Sequence, residues 1–449
     1  MNKLILLTPL LLLVMIGIAG ATTPSAFPSG IQYYVPINLT NSQTTATPAN
    51  FQQMLTFNAL AICTAKLCAP HLNNTEFFYV NGTVMPSWYE SGAGISNNYG
   101  SNDLASSSNV IAWVKLSPAG FVPASGTNTI YIGFASNSTN LFSNTITGEA
   151  PQLSSTYAEY DDGANVFSFY ANFAGTTLPT GWTVLSTGTT FNNGAIVGPT
   201  DFLETTSKYP IAYSNILEGY ISSITYGTSG DNAGFAYTVD VNGNDYTVTS
   251  AYLTLGTGAG EVYNGQVDFF STTTDLSMVT SNGGAGSAHA SPIADSTGVW
   301  SLWTTSTTGY LSVNYGTATT VTTNIPPAGD YYILTGSSAN GPTVTYNWFR
   351  TRAYPPAGIM PSVSFGAVVC ISPTLAISPN PSTYGQATTL TATAVCSSAD
   401  NVAIDYPTLG TAIATGTGSA TYTYNPFSLG AGCGYGYALA VGCWVGGYG

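Results

Sequence analysis

The chain has 449 residues, of which 44% are hydrophobic and only 6% charged, with a net charge of −14 at pH 7; an average soluble protein has about 25% charged residues. Six Lys and Arg cannot build the basic face that phosphates require, so nucleic acid and anionic lipid headgroups are set aside as partners. Dense Tyr, Thr, Val and Phe exclude a highly charged disordered chain and favour strands.

Residues 1–3 are Met-Asn-Lys, residues 4–18 are apolar, and Ala19-Gly20-Ala21 follows. A charged start, an apolar middle and a small-residue exit read as a secretory signal peptide cut after Ala21. The alternative is an uncleaved anchor, for which the run is short of the ~20 residues a span needs. No later stretch is long and apolar enough to cross a bilayer, so no membrane insertion is expected after cleavage. The rest is long enough for two or three domains.

Residues 30–41, GIQYYVPINLTN, alternate with Tyr34, Pro36 and Asn38 against Val35, Ile37 and Leu39, the pattern of a strand. Further strands are predicted at 77–79, 111–116 and 129–134, separated by Gly, Asn, Ser and Pro clusters. Residues 51–62 fit either a short helix or an edge strand. YYVPINLTN, then residues 76–92 with Trp88-Tyr89-Glu90, then residues 110–136 with Trp113-Val114-Lys115, resemble the module called domain of unknown function 2341. That resemblance implies a β-sandwich of secreted and surface proteins, with no activity attached.

A second unit begins after residues 157–163, YAEYDDG. Residues 166–184 resemble the entry to concanavalin A-like, laminin G-like jelly rolls. Relatives usually carry carboxylates just before the second aromatic, where this chain has Ala171-Asn172, so its residues do not support a calcium site. Strands are predicted at 219–224, 234–241, 248–255, 266–270, 300–303 and 310–315. The unit closes on residues 346–354, YNWFRTRAY, which hold the only two arginines. Alternation puts Trp348, Arg350 and Arg352 on one face and Phe349 and Thr351 on the other, and Pro355-Pro356 ends the ladder. The arginines are expected to pair with an acid or stack on Trp348, a ligand carboxylate being the alternative. Residues 348–366 are similar to the end of archaeal surface proteins with this two-domain layout. From Pro373 the sequence resembles an immunoglobulin-like repeat with room for an incomplete set of strands.

The expected fold is therefore all-β, tandem antiparallel β-sandwiches: a signal peptide over 1–21, the first module over 22–157, a jelly roll over 158–368 and an immunoglobulin-like domain over 369–449. Exported cysteines favour disulfides. Cys63 and Cys68 are the expected first pair, although with His71 they also have zinc-ligand spacing. The immunoglobulin-like resemblance implies Cys396 with Cys443, among the three pairings open to Cys370, Cys396, Cys433 and Cys443. Asn38, Asn73, Asn81 and Asn137 head glycosylation sequons.

Glycan hydrolysis needs two carboxylates about 5 to 9.5 Å apart across a cleft. The jelly-roll glucanases carry Glu-x-Asp-x-x-Glu; here only Glu159 has an Asp two residues on, Asp161, and Ala164 stands at the last position. No Gly-x-Ser-x-Gly elbow occurs, and His71 and His289 lie in small-residue segments expected to be loops. No catalytic residue, cofactor or metal is assigned. Trp300, Trp303 and Tyr310 form the candidate sugar platform; being three apart, Trp300 and Trp303 face opposite sides, so at least one belongs to the core. The expectation is a secreted or cell-surface binding or adhesion protein whose partner is an extracellular glycan or another cell-envelope protein. A structural envelope component is the first alternative and a glycoside hydrolase the second. Scarce basic residues also fit an acid habitat: below about pH 3 an ordinary protein of this length would carry about 50 positive charges, this one about five.

Overall fold

The computed structural model describes residues 23–371 apart from 64–66, 93–102, 187, 226–231, 239–262, 271–274, 283–286, 290–292, 295–296, 323–324, 326 and 338–340, and beyond them strands between 374 and 444. The expected signal peptide and the expected strand at 248–255 lie outside the described residues. Across the described residues the chain forms antiparallel β-sheets, with one parallel pairing, Ser87–Gly92 with Thr147–Glu149.

The first sandwich packs two sheets. One runs Ser362–Phe365, Tyr33–Asn41, Gly126–Phe134, Thr75–Phe78; the other runs Phe51–Phe57, Val110–Leu116, Ser87–Gly92, Thr147–Glu149. The period of two sends Val35, Ile37 and Leu39 into the core with Leu55, Ala112 and Val114. It leaves Tyr34 on the other face, edge-on to Tyr131, which stacks on Phe78. Residues 51–62 satisfy both expectations in turn: Phe51–Phe57 is an edge strand, and Ala59–Ile62 is one helical turn capped by the Asn58 side chain.

The second sandwich is larger. Its junction sheet runs Thr190–Phe191, Ala195–Val197, Thr343–Ala353, Asn215–Thr225, Gly298–Thr304, Gly309–Val313, Thr319–Val321. Its far sheet runs Ser287–His289, Asp275–Asn282, Tyr263–Phe270, Asn232–Thr238, Gly329–Ser337, Phe202–Thr205, Trp182–Val184. Leu217, Trp300, Leu302, Leu311 and Phe349 meet Phe235, Tyr237 and Ile333 between them. His289, expected in a loop, ends a short strand of the far sheet.

One boundary is corrected. Residues 362–370 were expected to end the second unit and begin the third, but Ser362–Phe365 and Val369–Cys370 pair with Tyr33–Asn41 of the first sandwich, Leu39 opposite Val363 and Tyr33 opposite Cys370. Pro355 and Pro356 stop the Arg350 strand and the turn Pro356–Gly358 redirects the chain. The edge of Tyr33–Asn41 offers unpaired backbone groups that the returning segment satisfies. Farther on, Thr374–Ser378, Thr388–Thr393 and Ser419–Tyr424 form one three-stranded sheet, and Ala412–Thr417, Asn401–Asp405 and Ala440–Trp444 another.

Candidate functional site

The outward face of the junction sheet packs against the first sandwich. Alternation places Trp348, Arg350 and Arg352 on that face, as expected, and Phe349 in the inner core. Two bulges set the aim. Trp348 opposes Tyr220 while Tyr346 opposes Ile221, so Asn347 is the extra residue and Tyr346 turns into the inner core. On the facing strand Tyr89 opposes Ala112 and Ser91 opposes Ile111, which leaves Glu90 as the bulged residue.

Glu90 meets Arg350 in a buried charge cluster. Arg350 Nη2 donates to Glu90 Oε2 at 2.7 Å and to the Tyr315 hydroxyl at 2.7 Å, and its Nε donates to Glu218 Oε2 at 2.7 Å. Arg352 Nε donates to Glu218 Oε1 at 2.9 Å, which also accepts from Ser301 Oγ at 2.8 Å. Glu90 Oε2 accepts from Trp113 Nε1 at 2.8 Å and from the Tyr315 hydroxyl at 2.5 Å. The Arg350 guanidinium lies 4.4 Å from the Phe167 ring centroid, 4.5 Å from Trp348, 4.6 Å from Trp113 and 5.2 Å from Trp88. Its Nη1 has no hydrogen-bond partner among the described residues, and ring faces supply that side of the cation. Burial pushes the Glu218 carboxyl up, but Arg352 and Arg350 outweigh it and hold the group below its ordinary value. Burial raises the Tyr315 hydroxyl well above its ordinary value, so it stays a donor. Two carboxylates and two guanidiniums cancel in formal charge, with both oxygens of Glu218 and Oε2 of Glu90 accepting hydrogen bonds. The expected pairing of the arginines with acid, and of Arg350 with Trp348, is what the structure holds.

The connector is tied into the same junction by Asp161. Its Oδ1 accepts from Trp88 Nε1 at 2.8 Å and Gly163 N at 3.1 Å; its Oδ2 accepts from Asn172 Nδ2 at 2.7 Å and the Tyr170 hydroxyl at 2.8 Å. Burial still raises this carboxyl above its ordinary value. Asn172 thus donates to Asp161. Among the described residues no three His, Cys, Asp or Glu side chains are grouped to hold a metal. Nearby, burial pushes Glu149 and Asp162 each up to about 7, and one oxygen of each is buried without a partner among the described residues.

Beside the charge cluster lies a pocket of about 180 Å³, lined among others by Trp303, Trp113, Tyr315, Arg352, Met54 and Met360. The three predicted platform residues separate here. Trp300 is fully buried in the inner core, which corrects its place in the candidate platform: on one strand, residues three apart point to opposite faces. Trp303 is half-buried and lines the pocket. Tyr310 stacks on Trp303, centroids 5.0 Å and planes 3° apart. Arg352 is only 7% exposed; with Nε engaged by Glu218, its two terminal nitrogens make no hydrogen bond among the described residues. Asn314 and Tyr315 adopt positive φ, 50° and 59°, in the turn that brings the Tyr315 hydroxyl to Glu90. Such backbone is costly for non-glycine residues; the Asn314 side chain anchors the turn by accepting from Val299 N at 2.9 Å.

Cys63 and Cys68 are disulfide-bonded, so the two sulfurs are not thiolate ligands and the zinc alternative with His71 does not form. Cys370 is also disulfide-bonded; its partner, and the expected Cys396 with Cys443 pairing, lie outside the described side chains. Asn81 and Asn137 are exposed. Asn38 is half-buried on a strand and accepts from Thr129 Oγ1, and the Thr75 of the Asn73 sequon is buried, donating to Leu72 O. Sequence reasoning missed Glu90, Glu218 and Tyr315 as members of the site. The available signal was a lone acid inside an apolar alternating strand, as in Ile216-Leu217-Glu218-Gly219-Tyr220.

No family model matches the chain. Over 138 residues it is 38% identical to uncharacterized protein 562 of Sulfolobus islandicus rod-shaped virus 1, a match covering 30% of this chain and 21% of that protein. Thus the chain spans about a fifth of the length of that curated relative. Among solved structures it is similar to a legume lectin-like domain from Entamoeba histolytica (10% identity, 38% of this chain and 89% of that one, TM-score 0.30). Others are a Bacillus licheniformis beta-glucanase (15%, 41% and 97%, 0.28) and porphyranase B from Zobellia galactanivorans (12%, 40% and 89%, 0.30). At these identities no ligand or reaction is carried over.

Proposed function

We propose that this is a secreted or cell-surface protein without enzymatic activity, whose two joined sandwiches present a glycan-binding pocket at their seam. The observation that carries this reading is Trp303, half-buried at the pocket and braced face to face by Tyr310. An aromatic face beside a few polar groups is how proteins hold sugars, the apolar side of the ring on the indole and the hydroxyls on the polar groups. The pocket is small beside the ~300–1,000 Å³ of sites that enclose a drug-sized ligand, so it suits one sugar ring or a chain end. The reading also keeps the resemblance to domain of unknown function 2341 as a proposal: of its matching segments, Trp88-Tyr89-Glu90 and Trp113-Val114-Lys115, the residues Trp88, Glu90 and Trp113 lie against Arg350 of the second sandwich.

A purely structural envelope role is the second reading, favoured by the buried charge cluster that fixes one sandwich on the other. A glycoside hydrolase is a weaker third, because the two acids brought together, Glu90 and Glu218, are both buried on Arg350. A glycan array probed with the wild-type protein and Trp303→Ala tests the proposal. Binding that Trp303→Ala abolishes while the fold is retained supports it; no sugar bound by the wild type supports the structural reading.

A further inference from the structure

We infer that the seam pocket selects sugars bearing a carboxylate, uronic acid residues, through Arg352. This rests on the glycan-binding reading above and narrows it. Arg352 lines the pocket, is nine-tenths buried, and has one nitrogen engaged: Nε donates to Glu218, and the terminal nitrogens are without hydrogen bonds among the described residues. The planar pair of terminal N–H groups matches the spacing of two carboxylate oxygens.

Charge compensation points the same way. Glu218 is shared between the two guanidiniums, and Arg350 has a second acid, Glu90, that Arg352 lacks. Of the two cations, the one at the pocket is therefore the less compensated. No carboxylate is among the described residues that line the pocket. Its apolar surroundings, Met54, Met360 and Trp303, strengthen an ionic hydrogen bond relative to water. The overall negative charge opposes an acidic ligand only at long range, where salt within about 8–10 Å screens it. A sugar ring on Trp303 with its carboxylate on Arg352 uses both features of one pocket.

The test is isothermal titration of the full chain with trimers of galacturonate, glucuronate and mannuronate, with their methyl esters, and with a neutral glucose trimer. The expected result is that at least one free acid binds tenfold or more tighter than its own methyl ester. Arg352→Lys, which keeps the charge but loses the planar donor pair and the Nε bond to Glu218, should erase that preference. The wild-type acid-to-ester ratio stands even where that variant folds poorly. Esters binding as tightly as acids overturn the inference and leave glycan binding intact; a neutral trimer bound with no acid bound does the same. Binding of none of these sugars overturns both.

Discussion

Glu90 and Arg350 are 260 residues apart in the chain and 2.7 Å apart in space. One belongs to the first sandwich and the other to the second, and neither is exposed beyond 1%. A buried pair of this kind contributes little over a well-packed apolar substitute, but removing one partner strands the other charge in low dielectric. Glu90→Gln should therefore destabilise the chain by about 3–5 kcal/mol, read as a lowered urea midpoint. The double variant Glu90→Gln with Arg350→Met should cost less than the two singles combined, since it removes the stranded charge. An unchanged midpoint in Glu90→Gln would show that the sandwiches are held by apolar packing alone.

Much of the fold was legible because period-two alternation survives without an alignment. Trp348, Arg350 and Arg352 share a face in the sequence and in the structure, and Val35, Ile37 and Leu39 line the first core as their spacing implied. What alternation cannot show is the partner across the sheet. Glu218 opposes Arg350 in register, a pairing fixed by strands 132 residues apart. Bulges are equally silent: one extra residue at Asn347 sends Tyr346 and Trp348, two apart, to different cores. The return of Ser362–Phe365 to the first sandwich was missed because chain order does not report which edge is still open.

Stability should fall as pH rises from about 4 to about 7. Burial first, with the Asp161 and Glu159 charges adding, holds the Glu149 carboxyl at about 7 against an ordinary 4.5; burial likewise holds Asp162 at about 7 against 3.8. Across that window the folded chain keeps protons that the unfolded chain has released, so ΔG of unfolding declines with pH. The contribution is complete below the unfolded values and lost as pH passes the folded ones. Glu218 acts in the opposite sense: its lowered value contributes stability above 4.5 that disappears as pH falls through the folded value. Calorimetry should give a higher thermal midpoint near pH 5 than near pH 8, with the difference reduced in Glu149→Gln and Asp162→Asn. A midpoint that climbs steadily to pH 8 would contradict this assignment. The acid-habitat expectation is checked alongside by circular dichroism at low pH.

Trp300 and Trp303 should answer differently to the same substitution. Trp300→Ala opens a cavity in the inner core and should cost about 3–5 kcal/mol. Trp303→Ala removes a ring that stacks on Tyr310 at the surface and should cost about 0.5–1.5 kcal/mol for that pair, beyond the area it buries. Denaturant titration separates the two. Equal losses would place Trp303 in the packing rather than in the pocket wall.

The returning strand offers a test by proline scanning. Ser362–Phe365 is an edge strand, so its residues alternate between pointing N–H groups at Tyr33–Asn41 and pointing them at solvent. Val363 opposes Leu39 and Ser364 opposes Asn38, so of these two neighbours one donates inward and the other does not. Val363→Pro and Ser364→Pro should therefore differ. The proline at the inward position removes a ladder bond, leaves its acceptor unsatisfied at about 1–3 kcal/mol, and lowers the thermal midpoint; the other is tolerated. The weakened variant should also self-associate, because loosening this segment bares the Tyr33–Asn41 edge as a template for another chain. If both prolines are equally silent in midpoint and in light scattering, the segment does not hold that edge closed.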